Sequence, residues 1–463
     1  MLARCANGFG GLALTSFLAE EAQGKAVNSL APKQPHFTPK AKSIIFLYMD
    51  GGPSSVDTFD PKPRLTKEHG QPFGLKMEAT QFNSRGKTLA SPWQFQHYGQ
   101  AGIPISDLFP HVARHADKLC VIRSMTSAFS EHTNANYFLH TGFGQVGRPS
   151  MGSWINYGLG TANQNLPGFI VLNGGLNPPG GLGCFSNGVL PAAYQGSVFK
   201  YGDKPIANIG RTETTPELQQ NKLDLIRKLD AGVVDRVGRL DQIESAIANQ
   251  ELAFRMQAAV PELMDLKGET EQTKKSYGLD AEFRNTGTFG RNCLIARRLV
   301  ERGVRFIELS CLNEGIGAGN GPNPWDQHGD LERGNRAMAH QVDQPIAGLI
   351  KDLKTRGLLD ETLIIWAGEF GRTPFSQGSN GRDHNPYGYS VWMAGGGTKG
   401  GTAYGATDEF GYHVSEDKCD IYDLWATVLH LMGVDHEALT YRYGGRDLRL
   451  TDVHGRVING IIS

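Results

Sequence analysis

Six short apolar runs punctuate the chain, at 43–49, 119–123, 168–173, 304–310, 362–367 and 390–394, each bounded by turn-forming residues. Their length fits strands, and their lack of alternation fits strands covered on both faces. Between them the period lengthens to that of helices. In "TTPELQQNKLDLIRKLD" Thr215 is placed to cap and Pro216 to occupy the first turn. That pattern and its continuation to about residue 266 predict one or two surface helices. Further helices are predicted at about 281–302, leading into the 304–310 run, and at about 334–356, leading into 362–367. "DIYDLWATVLHLMGV" near the C-terminus adds an amphipathic helix. Strands alternating with helices predict an α/β fold with a mainly parallel sheet between helical layers.

Composition narrows the function classes. A formal net charge of -1 with 39% hydrophobic residues excludes a basic nucleic-acid binder and a disordered tail. No Pro/Ser-rich or charge-block linker follows residue 40, so 41–463 is read as one large domain. The glycines gather in "NGGLNPPGGLGCFSNG" and "AGGGTKGGTAYGATDEFG", long irregular connections of the kind that surround a site. Six scattered cysteines, Cys5, Cys120, Cys184, Cys293, Cys311 and Cys419, contain no C-x-x-C pair and are expected to be free buried thiols. Residues 1–40 open on "MLARCANGFGGLALTSFLAEE", with an early Arg and a weakly apolar run. This has the shape of an export signal, similar to a twin-arginine signal lacking its charged lead, too short for a stable membrane anchor. An extracytoplasmic, periplasmic location is therefore expected.

The chemistry lies at the ends of the strands. Ligands of open α/β sheets bind beyond the carboxyl ends, and the acids and histidines stand there: Asp50 ends the first run, Asp326 and His328 follow 304–310, Glu369 follows 362–367, and Asp383 and His384 are expected in the next loop. So many carboxylates at one edge repel unless cations intervene. One or two divalent metals resolve the conflict, and carboxylate with imidazole suits zinc, manganese or iron, with calcium the harder alternative. "GFGQVG" at 142–147 fits a dinucleotide glycine pattern but follows a predicted helix, and "GGGTKGGT" lacks the ending of a phosphate loop, so no nucleotide site is expected.

"YMDGGPSSVDTFDPKP", "WDQHGD", "WAGEFGRTP" and "GRDHNPYG", in that order, resemble the bacterial family catalogued as domain of unknown function 1501, across nearly the whole chain. That family is similar to the alkaline phosphatase and sulfatase superfamily. The resemblance implies a three-layer sandwich with Asp50 as the first metal ligand and a nucleophile at a helix start. "EHTNANYFLHTG" at 131–142 is similar to the sulfatase nucleophile helix, with Thr141–Gly142 at its T-G. Its nucleophile position falls on His132, beside Thr133, with no cysteine or serine, so formylglycine chemistry is not expected. Thr133 is then a candidate alkoxide, and His132 a ligand, base or nucleophile. Asp326 and His328 stand for the superfamily's Asp/His metal pair at a shorter spacing. Glu369 stands for its next Asp, and Phe370 departs from its His. His384 corresponds to its last histidine, with His413 as competitor. Arg372 is positioned either to hold an anionic substrate oxygen or to pair with a nearby acid. Ser54 and Ser55 are read as turn caps or substrate contacts.

The implied activity is an exported, metal-dependent hydrolase of phosphate or sulfate esters, its anionic substrate free or linked to a polysaccharide. The alternative is a non-catalytic, metal-stabilised binding or cell-envelope protein that keeps the fold.

Overall fold

The computed structural model describes residues 30–79, 82, 85–174, 177–207, 209–210, 212–237, 241–313 and 324–463. Residues 1–29 of the expected export signal lie outside that set.

Twelve strands matter for the site, named in chain order: β1 (Ser43–Tyr48), β2 (Arg85–Thr88), β3 (Leu119–Thr126), β4 (Phe169–Asn173), β5 (Ser197–Lys200), β6 (Phe306–Ser310), β7 (Thr362–Ala367), β8 (Gly371–Gln377), β9 (Gly381–Asn385), β10 (Tyr389–Ala394), β11 (Thr402–Tyr404) and β12 (Cys419–Asp420). Nine form one sheet in the order β11-β3-β10-β7-β1-β6-β4-β5, with β12 also on β3. β10 alone runs against its neighbours; the other pairs are parallel. All six predicted runs are strands of this sheet. The three it gained, β5, β11 and β12, are short edge pieces whose composition carries no apolar run.

The helices include α1 (Ser55–Thr58), α2 (His132–Thr141), α3 (Met151–Leu159), α4 (Pro216–Val237), α5 (Asp241–Met264), α6 (Arg284–Glu301), α7 (Leu331–Thr355) and α8 (Ile421–Leu431). The predicted cap on α4 is made, Thr215 Oγ1 accepting from Leu218 N at 3.3 Å. The long helical pattern there is two helices.

Every residue of β1, β4, β6, β7 and β10 is buried, so both sheet faces are covered. Register assigns the faces. Phe46 lies opposite Glu308, and its ring meets Trp425 of α8 and His140 of α2. Leu47 lies opposite Trp366, which stacks on Trp392 at 6.0 Å and meets Phe59, Phe109 and Trp325 edge-on. α6 and α7, each leading into the next strand, pack against one another.

Two expectations are corrected. The glycine-rich segment from residue 394 does not surround one place: because β10 runs backward, Gly395–Gly397 turn at the amino edge of the sheet, where Gly396 N bonds Leu359 O, and only its later part, with Gly411 against Val56 of α1, returns to the carboxyl edge. Asp383 and His384 are not in a loop but on β9, which pairs antiparallel with β8, with β2 on the far side of β8. Cys120, Cys184, Cys293, Cys311 and Cys419 are buried free thiols, while Cys5 lies outside the described residues. Among the described residues no helix is long and apolar enough to cross a membrane.

Candidate metal centre

The apolar run of β1 ends on Asp50, and Gly51 and Gly52 follow with φ of +102° and +76°. L-residues with side chains avoid that region. Space forbids one as well: a Cβ on Gly51 would lie 2.6 Å from Asp326 N, because Trp325 N donates to Asp50 O at 2.9 Å. The glycines thus let the loop after β6 lie directly on the end of β1. Ser55 Oγ then accepts from Ser390 N at 2.8 Å, and Ser54 Oγ donates to Asp57. Both serines are tied into the turn.

Asp57 on α1 and Arg382 on β9 form a fully buried bidentate pair, Nε to Oδ2 at 2.7 Å and Nη2 to Oδ1 at 3.0 Å. It fixes the β8–β9 hairpin to the turn after β1. The hairpin also crosses the Asp326 loop, with Arg382 N donating to Gln327 O at 3.0 Å. Arg372 and His384 stand opposite one another on the two hairpin strands.

At the junction His132, Asp326, His328 and His384 each present one ligand atom, and the four lie within 4.8 Å of one another. Each imidazole is held from behind through Nδ1. His132 Nδ1 meets Glu369 Oε1 at 2.7 Å, His384 Nδ1 meets Ser130 O at 2.6 Å, and His328 Nδ1 meets Gln377 Oε1. A carbonyl can only accept, so at His384 the Nδ1 carries the proton and Nε2 keeps its lone pair. Asp326 receives all three Nε2 atoms: Oδ1 lies 2.7 Å from His328 and 3.3 Å from His384, and Oδ2 lies 3.3 Å from His132. His132 Nε2 is buried and makes no aligned hydrogen bond.

The electrostatics follow from this packing. Burial, then the Arg372 guanidinium, push His384 down to about 3, so its imidazole is neutral. A lone pair facing a carboxylate oxygen at 3.3 Å is repulsive unless a cation lies between them. Burial opposes the cation of His132 as well, yet the Asp326 carboxylate facing its Nε2 and the Glu369 carboxylate on its Nδ1 outweigh it and raise His132 to about 9. Burial also works against the Asp326 carboxylate, but Arg372 first, then His132 and His328, hold it far below the usual carboxylate range. Asp50 is raised, by burial first and the Glu369 carboxylate second, and Tyr48 donates to its Oδ1 at 2.9 Å. Its Oδ2 is buried with no partner. Three imidazole nitrogens aimed at one carboxylate are a donor set that fits zinc and similar divalent ions.

The remaining sequence candidates fall around this group. Glu369 accepts from Gly51 N at 3.1 Å as it holds His132. Asp383 accepts from His384 N at 2.8 Å, and its Oδ2 is buried without a partner. Arg372 is buried, with Nε on Gly52 O at 3.0 Å, Nη1 on Arg382 O at 3.2 Å, and Nη2 on Gly51 O and on Asp326 Oδ1, the latter at 2.6 Å. Thr133 lies at the start of α2, and among the described residues its hydroxyl has no hydrogen bond to the cluster. Glu131 caps that helix, accepting from Thr133 N at 3.0 Å and Asn134 N at 3.1 Å. His413 is not in the group; it pairs with Asp408 at 3.5 Å. Phe370 stacks on His384 with centroids 4.4 Å apart and meets His132 at 5.0 Å. Sequence reasoning missed Arg382, Asp57, Tyr48 and Asn136. The first two were visible as charged residues inside the quoted motifs; the others needed the fold.

No curated protein matches the chain by sequence. Among solved structures, the PsFucS1 sulfatase from Pseudoalteromonas sp. is similar at 14% identity and a TM-score of 0.38, over 90% of this chain and 72% of that one. The phosphonate monoester hydrolase SpPMH from Silicibacter pomeroyi is similar at 11% and 0.34, over 70% and 68%. The alkaline phosphatase from the Antarctic bacterium TAB5 gives 9% and 0.34, over 85% and 98%. The family described as "Protein of unknown function (DUF1501)" matches residues 41–462, and this chain belongs to it.

Proposed function

We propose that this protein is a metal-dependent hydrolase of phosphate or sulfate esters that acts outside the cytoplasm. The observation that carries the reading is the convergence of His132, Asp326, His328 and His384 at the carboxyl edge of the sheet, their ligand atoms within 4.8 Å of one another. Three nitrogen donors and one oxygen favour zinc, or manganese or iron, over calcium. An ion held there supplies Lewis acidity toward a phosphoryl or sulfuryl oxygen.

The chain's own groups prepare the site. Ser130 O and Gln377 fix the rings of His384 and His328, and Glu369 fixes that of His132, so each Nε2 faces inward. Arg372 orients Asp326. Asp50, whose Oδ2 is buried without a partner, is a further carboxylate available to a second ion or to a proton. The positive end of α2 is already occupied by Glu131, which leaves Thr133 half-buried behind the cap and favours His132, rather than the threonine, as the group facing substrate. The export-type composition of residues 1–40 supports the location, and an anionic ester, free or on a polysaccharide, is the proposed substrate.

Phe370 favours one other reading. Its ring packs against both His132 and His384, at the position where the superfamily resemblance implies a further imidazole for a second ion, as in a binding or envelope protein that keeps a structural metal without turnover. The test is zinc-loaded protein with 4-nitrophenyl phosphate, 4-nitrophenyl sulfate and a phenyl phosphonate. Turnover abolished by Asp326→Ala supports the hydrolase. Bound metal with no turnover on any of the three supports the second reading.

A further inference from the structure

His132, Asn136 and His140 recur every four residues and so share one face of α2. All three are buried, and each meets a polar group on the sheet edge or inside the sheet. His132 Nδ1 meets Glu369 Oε1 at 2.7 Å, the Asn136 side chain meets the Tyr48 hydroxyl of β1, and His140 Nε2 meets Glu308 Oε1 of β6 at 3.0 Å. Glu308 is out of place by composition, an acid at the centre of the strand "FIELS" with both partners of the pair fully buried.

The proton inventory gives this ladder a direction. His140 Nδ1 lies 2.8 Å from Asn136 O, which can only accept, so Nδ1 carries a proton. Burial disfavours the cation of His140, but Glu308 outweighs it and raises the imidazole above its usual range. The Tyr48 hydroxyl has one proton and two neighbours, Asp50 Oδ1 at 2.9 Å and the Asn136 amide. With the amide nitrogen of Asn136 turned to the phenol, Asn136 donates to Tyr48 and Tyr48 donates to Asp50. That orientation also satisfies Asn136 Nδ2, which otherwise has no partner.

A buried polar pair contributes little net stability compared with apolar residues of the same shape, but its geometry admits one register. Apolar contacts alone would let α2 slide or rotate by fractions of an ångström, and His132 stands on its first turn. We propose that Glu308–His140 and Tyr48–Asn136 are positioning residues of the candidate centre: they lock α2 against the sheet so that His132 meets Glu369 and Asp50 keeps its free oxygen turned to the site. This rests on reading the cluster as a metal centre.

Zinc affinity of the purified full chain is measured by competition with a chromophoric chelator for wild type, Glu308→Gln and Tyr48→Phe. Crystal structures of each supply the His132 Nδ1–Glu369 separation. Zinc binding weakened about 10- to 100-fold, with that separation lengthened beyond its present 2.7 Å, supports the proposal. Ile295→Val, a conservative loss inside buried α6, is expected to lower Tm with wild-type affinity and separation. Glu308→Gln and Tyr48→Phe behaving like that control would overturn the proposal. If Glu308→Gln does not fold, Tyr48→Phe, which keeps the ring and loses only the hydroxyl, decides alone. If wild type takes up no zinc, the metal reading fails, and the separation still decides whether the ladder positions His132.

Discussion

The pair Asp57–Arg382 makes the sharpest prediction about what holds the site together. Both side chains are 0% exposed, and the two hydrogen bonds are 2.7 and 3.0 Å long. Arg382 also donates to Thr373 O at 3.0 Å and Leu89 O at 3.2 Å. Arg382→Met leaves the Asp57 carboxylate buried with the Ser54 hydroxyl as its remaining side-chain donor, and breaking such a pair costs about 3–5 kcal/mol. With 463 residues at about 2.1 cal/mol/K each, the unfolding entropy is on the order of 1 kcal/mol/K, so Tm falls by about 3–5 °C. The double variant Asp57→Leu/Arg382→Met removes both charges and is expected to recover most of that loss, because paired removal spares the desolvation of a lone ion. Differential scanning calorimetry of wild type, single and double variants reads this directly. A single variant within about 1 °C of wild type, or a double variant no better than the single, refutes the reasoning.

Gly51→Ala places a methyl 2.6 Å from Asp326 N at a φ of +102°; it is expected to cost about 1–3 kcal/mol and to weaken metal uptake, measured by thermal melts and metal analysis of the same sample. Phe370→His places a further imidazole against His132 and His384, and is expected to raise bound zinc above the wild-type stoichiometry in elemental analysis. Asp343, raised to about 7 mainly by burial and partly offset by N–H donors from Val112 and His111, binds its proton more tightly folded than unfolded. The contribution of Asp343 to stability therefore falls as pH rises from about 4 to about 7 and is level above; Asp343→Asn is expected to remove that contribution, so that the difference between wild-type and variant stability changes across this range in denaturation curves, and a constant difference would contradict it.

Where the chain announces itself is instructive. Strands such as 362–367 are legible because a parallel strand covered on both faces must be apolar throughout. The carboxyl-edge placement of Asp50 and Glu369 follows from the same runs, since an acid closing an apolar run has few other places to be, whereas Asp326 stands well beyond its run and is brought back by Trp325 N on Asp50 O. His384 was legible as a candidate but not as a strand residue: "GRDHNP" has no apolar periodicity, and β9 exists because Arg382 is buried on Asp57 and Gly381 packs against His328 O. Arg372 could not be assigned from spacing, because pairing with Asp326 rather than facing solvent is decided by the hairpin crossing the loop after β6. The α2 ladder was half legible. The spacing of His132, Asn136 and His140 lies open in the sequence, but its partners Tyr48 and Glu308 come from strands remote along the chain, brought together only by sheet order.

The metal reading requires that one divalent ion be held by His132, Asp326, His328 and His384. The direct measurement is anomalous diffraction at the zinc edge from crystals of the zinc-loaded full chain, with Asp326→Ala in parallel. A peak bounded by the three Nε2 atoms and the Asp326 carboxylate is expected in wild type, and its loss is expected in the variant. No peak among these four side chains, or a peak that survives Asp326→Ala unchanged, would contradict it.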